Sequence, residues 1–406
     1  VKHNLGSKRW WGAPKKFTTE PGERKISWLE LFYDLVYVIA ISTITHYVAQ
    51  QFSISALLDY FYLFVIVFWG WLNGSLYHDL HGTEGLRTKL MTLWQMLIIA
   101  ALVITLHSEP GNLLFNATIV LLIMQAYITY LWWSVGIYDK EHRRLNKPYT
   151  ILYLISFGLI FATLFLQQPY IRILFYLTLV LNCSPPFVSY FFLKRKISAL
   201  SLSSSMTERL GLFTIILFGE VVLGVINGVI AFHRLDAMVW IQFGLAIIIV
   251  FTLWWLFFTI VSDRRCKSGL LNSSIFELLF IPLLIGLGLL GASFSDLFKY
   301  FETASLQAEW VIKTFGFSIS LFLLSIRVMM SFLNYPENYL PFKRISQRAF
   351  LATTVLIMAF TCLPLHITLV FHLLIVLAIL IGLILYLNAI WYRGMQKNEK
   401  EAPVND

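Results

Sequence analysis

Apolar runs of about twenty residues, separated by short polar loops, recur along the whole of this 406-residue chain. At a helical rise of about 1.5 Å per residue, such a run covers the roughly 30 Å hydrocarbon layer of a bilayer. The chain is 58% hydrophobic and only 13% charged, more apolar surface than a soluble fold of this length could hide. The expected fold is therefore an all-α polytopic membrane protein with about twelve transmembrane helices. Spans are predicted near residues 28–50, 56–78, 89–107, 113–138, 149–167, 170–193, 205–230, 236–261, 275–296, 309–332, 347–363 and 366–392. The eleventh is short, and the fifth and sixth, separated by little more than "QQP", should form a tight hairpin.

The distribution of positive charge tests this count. Seven lysines and arginines precede the first span, and the loops that follow alternate between few or none and several: Arg87 and Lys89, then "DKEHRRLNKP", then Lys194, Arg195 and Lys196, then Arg264, Arg265 and Lys267, then Lys343, Arg344 and Arg348, and finally the tail. The intervening loops hold at most one, such as Arg172, Arg234 or Lys299. Basic loops stay on the cytoplasmic side, so both termini are expected there. The net charge of +9 is thus explained by topology and does not point to nucleic acid. The first 25 residues lack an apolar core for a cleavable signal, so the first span is expected to be an uncleaved anchor. In that leader "KRWWGAPKKF" mixes cations with tryptophans, which suits anionic lipids of the bilayer surface, although a solvated leader reads equally well.

Twelve spans with both ends on one side suggest a six-plus-six parallel repeat. The division would be a basic segment 1–27, a first half 28–193, a linker 194–204, a second half 205–392 and a tail 393–406. Trp69, Trp71 and Asp79 end the second span much as Trp254, Trp255 and Asp263 end the eighth, and "WLELFYD" (28–34) aligns without gaps on "RLGLFTI" (209–215). The first and seventh helices are expected to be central.

Ionisable groups inside spans are costly, which makes them functional candidates. Three of the acids have a plainer explanation. Ser27 and Glu30, Ser205 and Glu208, and Ser274 and Glu277 all have capping-box spacing at the start of a predicted span. Asp34 lies a turn beyond Glu30 on the same helical face, too deep to cap. It is expected either to pair with Arg209 or Arg327 or to serve transport. Glu220, in "LFGEVVLG", is about 22 Å into its span. It reads either as a neutral acid bonded to a carbonyl or as a proton- or cation-binding group. The adjacent Gly224-x-x-x-Gly228 allows close helix contact. In "LNCSPPF" (181–187), Pro185 and Pro186 should break the sixth span, and freed carbonyls with Asn182 could line a substrate path. Pro282 is a milder case, and His46 and Asn73 are polar span residues that need partners. His78, Asp79 and His81 are a weak metal signal. Cys183, Cys266 and Cys362 are scattered without metal spacing or a disulfide framework. No metal, cofactor or nucleic acid is expected, and no catalytic constellation is visible.

"WLELFYDLVYVIAI" (28–41) and "ERLGLFTIILFGE" (208–220) resemble the two hallmark segments of the bacterial low-temperature-requirement protein A family. The resemblance implies a multi-pass protein of the bacterial inner membrane and marks Glu30, Asp34, Glu208, Arg209 and Glu220 as motif positions. The family also carries a His-x-Pro in a later helix; here that place reads Phe280-Ile281-Pro282. A fainter similarity links Phe32-Tyr33-Asp34 and Arg209-x-x-x-Phe213-Thr214 to the potassium-channel family with an R-x-x-x-F-S-D motif on its first helix. Here that motif is split between the two halves, which would let Arg209 meet Asp34. The expected function is proton- or cation-coupled transport of a small ion or solute. A cation channel and a non-transporting cold- or envelope-stress factor are the alternatives, and a homo-oligomer is compatible with each. Glu220 and Asp34 are the candidate binding groups, with Arg209, Arg327, Glu30 and Glu208 as their charge network and Asn182, Pro185, His46 and Asn73 along a path.

Overall fold

The computed structural model describes residues 14–16, 25–49, 53–83, 85–107, 110–140, 143–193, 202–230, 235–262, 264–300, 306–363 and 367–401. Most of the tryptophan-bearing leader, linker residues 194–201, Arg234, Asp263 and the last residues of the tail lie outside them. Among the described residues the chain is all helical: α1 (Trp28–Ala49), α2 (Ile54–His81), α3 (Leu86–Thr105), α4 (Pro110–Tyr138), α5 (Arg143–Ala162), α6 (Tyr170–Cys183), α7 (Pro185–Leu193), α8 (Ser204–Ile230), α9 (Ala237–Phe257), α10 (Leu270–Leu278), α11 (Phe280–Tyr300), α12 (Leu306–Phe332), α13 (Leu340–Cys362) and α14 (Leu369–Glu401). Among the described residues eleven helical segments are long and apolar enough to cross a membrane, or twelve when α6 and α7, bent by 45° at their junction, are counted as one span.

Two spans are broken, and proline accounts for both breaks. A proline at position i cannot donate to the carbonyl at i−4. Pro185 and Pro186 therefore leave the carbonyls of Leu181 and Asn182 without their helical donors, and the helix stops at Cys183. The Ser184 hydroxyl donates to the Leu181 carbonyl at 2.8 Å, and the Trp69 indole donates to that of Asn182 at 2.9 Å. Each of these two carbonyls thus accepts from a side chain of the protein in place of its helical donor. Pro282 similarly withholds a donor from Leu278, where α10 ends, and it falls in the first turn of α11, where a missing N–H costs nothing. The eleventh span runs from Glu337 to Cys362, longer than expected, because Lys343, Arg344 and Arg348 belong to its first turns and depress the hydropathy there.

The chain divides into two compact units. One comprises Val1–Tyr47, Ser55–Arg209 and Ser268–Ser274; the other comprises Val48–Ile54, Leu210–Lys267 and Ile275–Asp406. In the first unit, α4 packs against α3 and α5, and α5 packs against α6 and α7. Its α2 is buried without interruption from Phe64 to Ser75. Gly74 permits this, since a Cβ there would overlap the Tyr33 hydroxyl on α1. In the second unit α11 packs on α12, α12 on α13, and α14 on α9 and α13. There α11 is buried all round from Leu283 to Phe294. A Cβ at Gly224 of α8 would overlap the backbone carbonyl of Gly291, and one at Gly228 would stand 2.6 Å from that of Phe294. The Gly-x-x-x-Gly pair thus brings α8 into backbone contact with α11. The longest continuously buried stretches of the two units thus lie on α2 and α11, rather than on the first or seventh span.

Candidate functional site: a buried charge cluster on α1 and α8

The start of α1 follows the capping-box pattern. The Ser27 N–H and hydroxyl both donate to Glu30 Oε2, at 2.9 and 2.8 Å, and the Glu30 N–H donates to Ser27 Oγ at 3.4 Å. One turn on, Asp34 is wholly buried. Its Oδ1 accepts from the Trp71 indole at 2.7 Å and from Arg209 Nη2, and its Oδ2 accepts from Arg209 Nε at 3.3 Å. This is a two-pronged carboxylate–guanidinium pair, the strong form of that contact. The third nitrogen, Arg209 Nη1, stands 3.5 Å from Glu30 Oε1. That distance is an ion pair without a hydrogen bond, so Glu30 holds the guanidinium more loosely than Asp34 does. Glu30 is therefore both a helix cap and the second acid of the cluster. The guanidinium carbon also lies 5.6 Å from the ring centroids of both Tyr33 and Trp71, within cation–π range.

A second tier supports the first. The Tyr33 hydroxyl points at the Trp71 carbonyl, 3.3 Å away, and Gln95 Nε2 donates to the Tyr37 hydroxyl at 2.8 Å and to the Gly70 carbonyl at 2.9 Å. On another face of α2, Asn73 Oδ1 accepts from the Trp132 indole at 3.0 Å and the Tyr153 hydroxyl at 2.7 Å. Its Nδ2 donates to the Trp69 carbonyl at 2.9 Å. Asn182 exchanges amide hydrogen bonds with Gln125 at 2.9 and 3.1 Å. Asn73 and Asn182 are thus members of one buried network joined through Trp69 and Tyr153. Pro185 is the first residue of α7, beside that network.

Several sequence expectations end elsewhere. The partner of Asp34 is Arg209, not Arg327. Arg327 lies on α12, where its backbone carbonyl accepts from Gln347 at 3.3 Å. The cap of α8 is Ser203, whose hydroxyl accepts from the Met206 N–H at 3.0 Å. Ser205 instead donates to Asp79, and Glu208 is exposed, so no capping box forms at that pair. Ser274 and Glu277 lie well inside α10, which starts four residues earlier after Gly269 at φ 114°, so they do not cap it either. Glu277 is buried near Cys266, and burial together with that carboxylate pushes the Cys266 thiol up to about 11. His78 pairs with Thr92 at 2.7 Å and His81 with the Lys15 carbonyl at 2.9 Å, so each histidine has its own protein partner. Among the described residues no three His, Cys, Asp or Glu side chains are arranged to hold a metal. Glu220 and His46 are both half-buried, and neither is without a partner in the protein. Glu220 follows Arg209 by eleven residues on the same helix.

Trp71, Tyr33, Gln95, Gln125, Trp132 and Tyr153 complete the two networks; of these only Trp71 and Tyr33 fall in a sequence pattern, and neither pattern marks a hydrogen-bonding role. Trp71 was visible only as part of an aromatic cluster. The signal for its role is that a tryptophan buried in an apolar span must still place its N–H on an acceptor.

Taken together, these features define a polytopic helical membrane protein with an acid–arginine–acid cluster buried in its interior. The family model of the bacterial low temperature requirement A protein (LtrA) matches residues 25–389, and the chain belongs to that family. Comparison with curated proteins finds no match, and comparison with solved structures finds none either.

Proposed function

We propose that this protein moves protons or a small cation, alone or coupled to a solute, across the bacterial inner membrane, with both termini in the cytoplasm. The observation that carries this reading is the burial of Glu30, Asp34 and Arg209 at 4%, 0% and 1% exposure in a chain of membrane spans. Buried ion pairs are not an efficient way to stabilise a scaffold, because apolar side chains of similar volume do as well or better. Ionisable groups kept inside spans are characteristic of proton and ion pathways. On this reading Arg209, fixed by Asp34, orients the first turns of α8, and Glu30 is its more loosely held carboxylate. Glu220, further along the same helix, is the group that takes up and releases the proton or cation.

A second reading follows from Asp34 itself. Its two oxygens accept three hydrogen bonds, as a permanent lock would. In that case the cluster is purely structural, and the protein serves as a non-transporting membrane factor.

Flux in proteoliposomes separates the two. Purified protein is reconstituted around a pH-sensitive dye, and K⁺, Na⁺ and proton gradients are imposed on wild type, Glu220→Gln and Asp34→Asn. The transport reading expects flux above empty liposomes that is lost in Glu220→Gln while the fold is retained. No wild-type flux under any of these gradients, with Asp34→Asn lowering only thermal stability, would favour the structural lock.

A further inference from the structure

A cavity of about 420 Å³ opens in the second unit where α9 ends. Its walls are mostly apolar, formed by Leu256 and Ile260 from one segment and Ile384 and Leu387 from another, with Thr259 and Asn388 as polar lining residues. Arg264 lines it from the basic loop that follows α9. The guanidinium carbon of Arg264 lies 4.3 Å from the Tyr335 ring centroid and 6.0 Å from that of Trp391. Tyr339 stacks on Trp391 at 4.9 Å, and Phe342 meets it edge-on at 5.2 Å, so the aromatic bed under the cation is itself held in place. No carboxylate pairs with Arg264 among the described residues, and its buried Nε has no hydrogen-bond partner there.

The surroundings add positive charge. Lys343 stands 5.1 Å from the same Tyr335 ring. The ammonium groups of Lys343 and Lys267 both point at the Ser331 carbonyl, at 3.5 and 2.8 Å. Three cations therefore gather around one tyrosine and one carbonyl, a concentration of charge that an anion would offset. The last turn of the span, Phe258–Ser262, is π-helical and brings Thr259 and Ile260 into the cavity wall. Such widened turns recur at functional sites.

We propose that this cavity binds an anionic phospholipid, with Arg264 donating to its phosphate and the wall from Leu256 to Leu387 taking the first part of an acyl chain. A planar guanidinium with a free edge matches phosphate oxygens. The apolar wall selects a lipid over free phosphate. The loop's basic character places the site at the face that positive-inside topology turns toward the anionic cytoplasmic leaflet. The inference is independent of the transport reading, because its test measures binding and not flux.

Native mass spectrometry of the detergent-purified protein provides the test, with phosphatidylglycerol and phosphatidylcholine of identical chains added in turn. Wild type should retain phosphatidylglycerol about tenfold better, and Arg264→Gln should erase that preference. If Arg264→Gln does not fold, Ile384→Trp, which fills the apolar wall and keeps the cation, should lower retention instead. Equal retention of the two lipids by wild type would overturn the proposal, as would an unchanged preference in folded Arg264→Gln. Displacement of the lipid by inorganic phosphate alone would overturn its lipid part and leave a simple anion site.

Discussion

The two ends of α8 are held by opposite means. Near its start, Arg209 fills a pocket of acids and rings, where each prong of the guanidinium meets a partner. Near its end, Gly224 and Gly228 offer no side chain, and the backbone packs directly against Gly291 and Phe294. One end depends on charge that must be matched, the other on volume that must be absent. In a membrane, where lipid tails are as apolar as leucine, both devices do what hydrophobic burial does in water. They differ in how they fail: the first leaves an uncompensated charge, the second a steric collision.

The largest expected effect comes from breaking the charged end. Arg209→Gln leaves Asp34 and Glu30 facing each other without the buried cation, which should cost about 3–5 kcal/mol of stability. Thermal unfolding in a mild detergent measures it. Adding Asp34→Asn to the same chain should recover part of the loss, because the uncompensated carboxylate is then gone. Strict additivity of the two substitutions would mean that the pair is not energetically coupled, and that the charged end is held chiefly by its aromatic contacts.

The steric end is tested by a single methyl group. Gly224→Ala should cost about 1–3 kcal/mol, since a Cβ there overlaps a backbone carbonyl that no rotamer change can move. Gly219→Ala, one turn earlier and with open space around it, should be neutral or gain up to about 1 kcal/mol of helix propensity. If both variants lose equally, the cost comes from something other than the contact with α11.

The cap between the linker and Arg209 should matter less. Ser203→Ala removes the acceptor for the Met206 N–H and should cost about 1 kcal/mol, the usual effect of losing a cap.

How far the sequence could be read follows the same physical divide. Span number and helical class depend on apolar length and loop charge, which are summed over many residues and survive errors at any one of them. The Asp34–Arg209 contact was suggested by a motif split between two segments. The choice between Arg209 and Arg327 needed coordinates, because equal depth along two helices does not tell which helices are neighbours. Capping was legible at Ser27, where the helix start coincides with the spacing pattern. It misled at Ser205 and Ser274, where the same spacing lies inside a helix that begins earlier. Buried networks such as Asn73 with Trp132 and Tyr153 leave almost no local signal, since their partners are distant in sequence.

The smallest expected effect belongs to the acid next to Arg209. Glu208 and Arg209 are adjacent in sequence and both fall in the family's second hallmark segment, yet the helix turns them to different faces. Arg209 is buried, and Glu208 is exposed without an ion pair among the described residues. Glu208→Gln should therefore leave stability within about 0.5 kcal/mol, as exposed substitutions usually do. Flux measured on that same stable variant is then informative in a way that Arg209→Gln cannot be. If transport occurs and Glu208→Gln abolishes it, the exposed acid has a role at the mouth of the path that no packing argument supplies. If flux is unchanged, the functional weight of α8 rests on its buried residues, and the comparison between its two ends covers what the helix needs.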